Sequence, residues 1–279
     1  MTVSVIVPTF NAEPWIRDAL GALSAQTYVG EWELIISENG SSDRTRSIAA
    51  SWVHRFPAFR VIDATDTRGQ SYARNQAANV ASGDVLLFTD QDDIVAPNWI
   101  ARLTDGLSNS RIVTGPVAHF VDGQTSMGRD AQEPHERLSV GPFEYPIGCN
   151  MGIERDLFLE LGGFDESATL GWEDVDLGIR AALRGITTAW LEQAVVLHRR
   201  PSSLRVTWRK EFAYGRGWTK LERRYPQIAP HGWIRPLLPR AGWIAVRSPY
   251  VALPARRRGW VVQAAGFAGR LAERLRPTG

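Results

Sequence analysis

The chain has 279 residues, of which 44% are hydrophobic, and a single cysteine, Cys149. This length and composition suit one large globular domain or a domain with an appendage. One cysteine excludes an intramolecular disulfide and fits a reducing compartment, so we expect a cytoplasmic protein. No stretch reaches the roughly 18 apolar residues that a membrane-spanning helix needs, and the first ten residues lack the features of a signal peptide.

The net charge of +2 is divided unevenly along the chain. Residues 199–279 hold 18 Lys and Arg against 3 Asp and Glu, whereas residues 1–198 hold 14 basic and 27 acidic side chains. Charge segregated in this way predicts two regions with different tasks. The basic region also contains five of the eleven tryptophans. Arginine with tryptophan suits nucleic acid or a lipid headgroup layer, and a solvated basic face stays open as the alternative.

Strands and helices are predicted to alternate through the first 89 residues. Short apolar, β-branched runs predict the strands, and apolar residues spaced by three and four predict the helices. The predicted strands are residues 3–7, 33–37, 59–63 and 84–89, and the predicted helices begin after Asn11, after Ser42 or Asp43, and at Gln70. Asn11 is the predicted cap of the first helix. This alternation is typical of an α/β fold, in which a mostly parallel sheet has helices on both faces.

Ligands of such sheets bind beyond the carboxyl ends of the strands. Glu38 follows the second predicted strand, and Arg68 lies in the loop after the third. Asp90 and Asp92 follow the fourth. We therefore expect these side chains to meet at one edge of the sheet. An Asp-x-Asp after a buried strand can hold a divalent cation, and hard oxygen ligands favour Mg²⁺ or Mn²⁺; an acidic surface turn is the alternative.

The sequence after residue 115 is less regular. Residues 115–145 are polar and aperiodic and predict a long loop. A strand and a helix from Cys149 follow, then a helix at residues 173–185 and closing strands at residues 187–191 and 194–198. The character of the sequence changes at Pro201. We predict a main domain over residues 1–200 and a basic, Trp/Arg-rich, mainly helical extension over residues 201–279.

Five motifs occur in an order and at separations that resemble a known family. They are SVIVPTFN, SENGSSD, RGQSYARNQAANVASGDVLLFTDQDD, CNMGIERDLFLELGGFDE and GWEDVDLGIRAALRG. Together they resemble glycosyltransferase family 2, whose members are inverting enzymes with the GT-A fold. The resemblance covers roughly residues 2–200. It implies a Rossmann-like GT-A catalytic domain over residues 1–200.

The resemblance also implies a role for each matching position. The positions are Thr9 and Glu38 for the base and ribose of the nucleotide, Arg68 for the nucleotide, Asp90 for the ribose and the metal, Asp92 and His198 for the metal, and Asp174 for the general base. Glu38 and Asn39 stand where many relatives have two aspartates, which leaves the nucleobase open. The implied cofactor is Mn²⁺ or Mg²⁺.

These residue types fit sugar transfer. A divalent cation stabilises the charge that grows on a departing diphosphate, and a carboxylate can take the proton of an attacking hydroxyl. Trp172 and Glu173 are candidates for contact with the acceptor. The alternative for Trp172 is a position in the core, and the alternative for Glu173 is that it only favours the start of the helix. The alternative to a metal-binding role for His198 is a structural role at the end of a strand. Asp93 is interpreted as a solvated or helix-capping residue.

The expected partners are a nucleotide-diphosphate sugar donor and an acceptor that the sequence does not identify. Lipid-linked glycans, cell-wall polymers and soluble metabolites all stay open, and we expect no nucleic acid beyond the nucleotide of the donor. A sugar-nucleotide-forming nucleotidyltransferase is one rival, but residues 8–15 lack the glycine and lysine of a triphosphate-binding loop. A non-enzymatic lipid-binding module is another, and it leaves the acidic residues unexplained.

The C-terminal residues predict an amphipathic helix. Its apolar stripe consists of Trp260, Ala264, Phe267, Ala268, Leu271 and Leu275. Residues 233–279 also carry nine Arg and one Glu. We expect this helix to lie in an anionic membrane surface, which would make the protein peripheral on the cytoplasmic face, or else to dock on the main domain.

Overall fold

A computed structural model describes residues 1–121, 137–168, 171–228, 238–248 and 253–276. The chain divides into two compact units. The first comprises Met1–Ser139, Phe143–Ser167 and Glu173–Arg199, and the second comprises Val140–Pro142, Ala168–Trp172 and Arg200–Gly279. The predicted domain boundary after residue 200 stays a prediction.

The regular elements of the described residues follow in chain order. The strands are β1 (Val3–Thr9), β2 (Trp32–Glu38), β3 (Phe59–Asp63), β4 (Val85–Phe88), β5 (Ile94–Val95), β6 (Ile112–Thr114), β7 (Val117–Val121), β8 (Ser139–Val140), β9 (Phe143–Glu144), β10 (Met151–Glu154), β11 (Thr188–Trp190) and β12 (Val196–Arg200). The helices are α1 (Ile16–Ser24), α2 (Thr45–Ala50), α3 (Gln70–Val80), α4 (Trp99–Leu107), α5 (Arg155–Glu160), α6 (Glu173–Ala182), α7 (Leu204–Arg224), α8 (Leu238–Val246) and α9 (Pro254–Arg274).

A central sheet of seven strands organises the described part of the first unit. Its order is β11–β6–β10–β4–β1–β2–β3. β1 pairs in parallel with β2 and β4, and β2 pairs in parallel with β3. β11 is also parallel to β6, whereas β10 runs antiparallel to β4 and β6. The predicted α/β fold with a mostly parallel sheet is therefore confirmed.

Apolar burial on both faces of the sheet holds this unit together. Every residue of β1 and β4 is buried, as expected for parallel strands that helices cover on both sides. Helix α1 buries Ile16, Ala19, Leu20 and Leu23, which is the face that its spacing predicts. Full burial of a single leucine or isoleucine side chain contributes about 1.5–3 kcal/mol.

Two local expectations are wrong. Asn11 does not cap α1, because the helix begins at Ile16. Asn11 instead has a φ of +49°, and its side-chain oxygen accepts the Ser42 N–H at 2.8 Å, which ties the loop after β1 to the loop after β2. The predicted loop over residues 115–145 contains β7, which joins β5 and β12 in a second sheet; residues 122–136 lie outside the described residues.

The second unit is helical in its described part, as the predicted extension requires. Helices α7 and α9 approach so closely that a side chain on Gly215 would overlap the carbonyl group of Gly266. In the predicted apolar stripe of α9, Ala264 is buried whereas Leu271 and Leu275 are exposed. Among the described helices, none is long and apolar enough to cross a membrane.

Candidate active site

The carboxyl ends of β1 and β2 bring the first two predicted donor residues together. Thr9 and Glu38 are register partners at the last positions of these strands, and both are buried. The Glu38 carboxylate accepts the N–H groups of Gly40 at 3.1 Å and Ser41 at 2.5 Å. Gly40 has a φ of +81°, a conformation that glycine adopts without strain. The loop after β2 thus holds the carboxylate at the sheet edge.

Asn39 supports the loop that carries Arg68. The Asn39 amide donates to the carbonyl oxygen of Thr67 at 2.8 Å, and its side-chain oxygen accepts the Gly69 N–H at 2.9 Å. Arg68 itself is exposed, and its guanidinium lies 4.7 Å from the ring centroid of Phe10. Asn39 therefore holds the loop that carries Arg68.

A buried arginine joins two of the acidic clusters. Arg74 in α3 is 1% exposed. Its Nη2 lies 2.7 Å from Oδ1 of Asp90, and its Nη1 lies 3.0 Å from Oε1 of Glu173. Burial on its own lowers the pKa of Arg74, but the charges of Asp90, Glu173 and Asp174 outweigh burial and raise the pKa. Arg74 is therefore a permanent cation between carboxylates that come from different elements.

The first turn of α6 holds two adjacent carboxyl groups. Asp174 accepts the N–H of Gly148 with Oδ2 and the N–H of Val175 with Oδ1, each at 2.8 Å. Burial raises the pKa of Asp174 despite these hydrogen bonds. Burial, followed by the charge of Asp174, also raises the pKa of Glu173 to about 7. Two interacting carboxyl groups with raised pKa values can share a proton near neutral pH.

A second group of polar side chains lies on the other side of Asp90. One ligand atom each from Asp90, Asp93, Cys149 and His198 lies within 4.8 Å of the others. Asp93 is 1% exposed, and its Oδ1 lies 2.7 Å from Nδ1 of His198. The expectation that Asp93 is solvated is therefore wrong. Asp92 is half-buried and outside this group of described residues; its role as a metal ligand stays a prediction.

This group has the properties of a cation site. Oδ2 of Asp93 is buried and has no hydrogen-bond partner among the described residues, which is costly for a carboxylate oxygen unless a cation satisfies it. Carboxylate oxygens and an imidazole nitrogen are common ligands of divalent metals. Burial, followed by the charges of Asp93 and Asp90, raises the pKa of the Cys149 thiol well above its ordinary value.

Trp172 belongs to the second unit although Glu173 follows it directly. Its ring centroid lies 4.8 Å from that of Trp218 and 5.7 Å from that of Tyr214. Its indole N–H donates to the carbonyl oxygen of Tyr214 at 2.7 Å. A φ of +74° is unusual for a tryptophan. Its predicted role on the acceptor side stays a prediction.

Sequence reasoning missed Arg74 and Cys149 as members of the site. A signal for Arg74 was present, since it shares a face of α3 with Ala73, Ala77 and Ala78, all buried. A long cation on the buried face of a helix needs a partner. Cys149 offered no comparable signal, because the other members of its group are distant in sequence.

The sequence profile described as Glycosyl transferase family 2 matches residues 4–162. A curated relative, the O-antigen biosynthesis protein RfbC of Myxococcus xanthus, is 28% identical over 259 residues, covering 82% of this chain and 20% of that protein. The chain spans between 20% and 65% of the length of the first curated relatives that it matches.

Solved structures of glycosyltransferases have the same fold. The mannosyltransferase PcManGT of Pyrobaculum calidifontis, in complex with GDP-Man and Mn²⁺, has a TM-score of 0.71 at 19% identity, covering 98% of this chain and 87% of that chain. TarS of S. aureus, in complex with UDP-GlcNAc, has a TM-score of 0.60 at 16% identity, covering 98% and 92%. These likenesses establish the GT-A fold. Because the profile matches more than half of its residues, the chain belongs to glycosyl transferase family 2.

Proposed function

We propose that the chain is a metal-dependent, inverting glycosyltransferase that moves a sugar from a nucleotide-diphosphate sugar to an acceptor hydroxyl. The observation that carries this proposal is the contact of Arg74 with both Asp90 and Glu173, at 2.7 and 3.0 Å. Through one buried cation, this contact joins Asp90, the carboxylate proposed for the donor side, to Glu173, which is proposed for the acceptor side. Membership of the family favours this function over a nucleotidyltransferase or a lipid-binding module.

The donor nucleotide would bind at the carboxyl ends of β1 and β2. Thr9 and Glu38 would contact its base and ribose, and the exposed guanidinium of Arg68 would meet its phosphates. The complexes of PcManGT with GDP-Man and of TarS with UDP-GlcNAc support a nucleotide-sugar donor. Because these donors carry different bases, guanine and uracil both remain open for this chain.

The proposed metal ligands are Asp90, Asp92 and His198, and the structure leads us to add Asp93. The proposed cation is Mn²⁺ or Mg²⁺, and the Mn²⁺ in the PcManGT complex supports this class of ion. When bound, the cation would offset the negative charge that grows on the leaving diphosphate. Arg74 would hold the Asp90 carboxylate in position, since its Nη2 lies 2.7 Å from Oδ1 of Asp90.

Asp174 is the proposed general base. Its two hydrogen bonds to backbone N–H groups fix the carboxylate, and its raised pKa makes it a stronger base than an ordinary aspartate. The acceptor oxygen would attack the anomeric carbon while its proton passes to Asp174. The diphosphate would leave from the opposite face, and this single displacement inverts the anomeric configuration. Glu173 and Trp172 remain proposed acceptor-side residues.

We further propose an acceptor in cell-surface glycan, glycolipid or polysaccharide synthesis, which the name of the relative RfbC supports. A lipid-linked acceptor would suit a protein that rests on an anionic membrane. Arg258, Arg270 and Arg274 donate to groups within the second unit, so they are poor candidates for lipid contact. The exposed Val206 and Trp208 of α7 are better ones.

Nucleotide release from UDP-, dTDP- and GDP-sugars tests this function. We expect one donor class to be hydrolysed or transferred with Mn²⁺, EDTA to abolish the reaction, and NMR of the product to show inversion at the anomeric carbon. Activity that persists in EDTA would exclude the metal requirement. If none of these donors is turned over or shifts the melting temperature, the donor assignment is wrong.

A further inference from the structure

Cys149 lies within the group of side chains that forms the proposed cation site. Its Sγ is within 4.8 Å of ligand atoms from Asp90, Asp93 and His198. We propose that Cys149 is a sulfur ligand of the bound cation, so that the site prefers borderline transition-metal ions such as Co²⁺ and Zn²⁺ over Mg²⁺. This inference rests on the proposed function only in that the same cation site is used.

The chemistry of the four donors sets the preference. Mg²⁺ requires octahedral oxygen ligands and is poorly matched to sulfur. Thiolate and imidazole ligands favour Zn²⁺ and its neighbours, whereas carboxylates alone suit Mg²⁺ and Mn²⁺. With or without Asp92 as a further carboxylate, the set of Asp90, Asp93, Cys149 and His198 therefore differs from a magnesium site in the donors that Cys149 and His198 supply. The buried, unpartnered Oδ2 of Asp93 marks where positive charge is missing.

The distances suit a single ion. Zinc bonds of about 2.0–2.3 Å in a tetrahedral site place ligand atoms about 3.3–3.8 Å apart. Ligand atoms that lie within 4.8 Å of one another therefore reach one ion after inward shifts of up to about 1 Å. The contact of 2.7 Å between Oδ1 of Asp93 and Nδ1 of His198 also holds these two side chains together in the group. Coordination releases the thiol proton to solvent, since a metal-bound thiol is deprotonated.

The backbone next to Cys149 is held firmly, which favours a fixed ligand position. Asn150 is fully buried. Its Oδ1 accepts the indole N–H of Trp99 at 2.8 Å, and its amide donates to the carbonyl oxygens of Pro116 at 3.1 Å and Ala194 at 2.7 Å. Cys149 is thus anchored by its neighbour from three directions while its own side chain faces the carboxylates.

Cobalt spectroscopy tests the inference on the full-length protein. Because Cys149 is the single cysteine of the chain, any thiolate-to-Co²⁺ charge-transfer band in the near ultraviolet must come from it. The metal-stripped protein is titrated with CoCl₂, and bound Co²⁺ is measured in parallel by equilibrium dialysis. We expect this band to appear as Co²⁺ binds, and to be lost in Cys149→Ser and in Cys149→Ala.

The two variants should also change the metal preference. We expect their Co²⁺ affinity to fall tenfold or more, at least the loss seen when a supporting partner of a metal ligand is removed, while their Mg²⁺ affinity changes little. Co²⁺ that binds without the band, or with an unchanged spectrum in Cys149→Ser, overturns the inference and leaves the proposed function intact. Failure of Co²⁺ to bind at all overturns both the sulfur ligand and the proposed metal site.

Discussion

Glu222 of the helical unit and the Glu173–Asp174 pair of the sheet unit have opposite balances of charge around them. In the helical unit, Glu222 accepts from Trp218 at 2.6 Å and forms ion pairs with Arg270 at 3.3 Å and Arg274 at 2.6 Å. In the sheet unit, Glu173 and Asp174 are neighbours in one helical turn, and the cation beside them, Arg74, also serves Asp90. Cations thus outnumber carboxylates around Glu222, whereas carboxylates outnumber cations around Arg74.

This difference separates a structural network from a functional site. The Glu222 carboxylate of α7 forms ion pairs with two arginines of α9 and so fixes the packing of these two helices. Burial raises the pKa values of Glu173 and Asp174 although Arg74 opposes it, and such raised values cost stability and are typical of catalytic and ligand sites. Arg258, Arg270 and Arg274 are thus used within the helical unit, while the acidic residues of the sheet unit include a site in which carboxylates outnumber cations.

The largest effect is expected when the proposed base is removed. Asp174→Asn keeps the shape of the side chain, and its one oxygen can still accept the Gly148 N–H while the Val175 N–H loses its acceptor. General-base catalysis contributes about 10²–10⁴-fold, so transfer should fall by about that factor. Binding of the donor nucleotide should stay within about threefold of wild type, because Asp174 is assigned to the acceptor. Steady-state transfer assays and calorimetry with the nucleoside diphosphate measure the two quantities.

Asp176 in the same helix is the matched control for this variant. It is also buried, but its Oδ2 forms an ion pair with Arg180 at 2.7 Å. Asp176→Asn should clearly lower the melting temperature, whereas its turnover should change only slightly. Wild-type turnover in Asp174→Asn would move the base to Glu173 or Asp176.

The second effect is on stability, and it compares the two units directly. Glu222→Gln leaves the guanidinium groups of Arg270 and Arg274 without their counter-charge, and should lower the free energy of unfolding by about 3 kcal/mol, the low end for breaking a buried ion pair. Glu173→Gln at pH 8 should change the free energy of unfolding by less than about 1 kcal/mol, or should raise it. The reason is that burial already disfavours the ionised form of Glu173. Urea denaturation followed by circular dichroism measures both. Equal losses in the two variants would contradict the distinction between network and site.

The third effect distinguishes neighbouring carboxylates of the acidic turn. Asp93→Asn should weaken Mn²⁺ binding by about 10–100-fold, because Asp93 contacts His198 and has an unpartnered buried oxygen. Asp92→Asn should weaken nucleotide-diphosphate binding in the presence of metal, if Asp92 is the ligand that the family resemblance implies. Equilibrium dialysis with Mn²⁺, alone and with the nucleotide, separates the two. If Asp93→Asn binds Mn²⁺ as wild type does, Asp93 is a structural partner of His198.

The order of these residues along the chain explains how much the sequence could predict. β3 has the bounds predicted from its apolar run, and β1, β2 and β4 differ by one or two residues, because strands buried on both faces leave a continuous local pattern. Glu38 and Asp90 follow from the rule that ligands meet at the carboxyl ends of strands. Arg74 and Cys149 do not follow from it, because the groups that they contact are brought near by tertiary packing and leave no period in the sequence.

The smallest expected effect is on pH dependence, and it follows from the raised pKa of Glu173. Its ordinary value is 4.5 and its value in the folded chain is about 7. A carboxyl group whose pKa is higher in the folded state stabilises the fold fully below pH 4.5, and this contribution is lost as the pH rises through about 7. Transfer should move in the opposite direction, because a general base must be ionised to accept a proton.

We therefore expect the melting temperature to fall as the pH rises through about 7, while kcat/KM rises with pH until the raised pKa of Asp174 is passed. Glu173→Gln is the test of this linkage, since it removes the titrating group and leaves Asp174 beside Arg74. It should flatten the melting-temperature profile and move the midpoint of the activity profile to lower pH, because Asp174 then loses a negative neighbour. Glu222→Gln is the control and should leave the activity midpoint unchanged. An activity profile of Glu173→Gln that coincides with wild type would mean that the two carboxyl groups titrate independently.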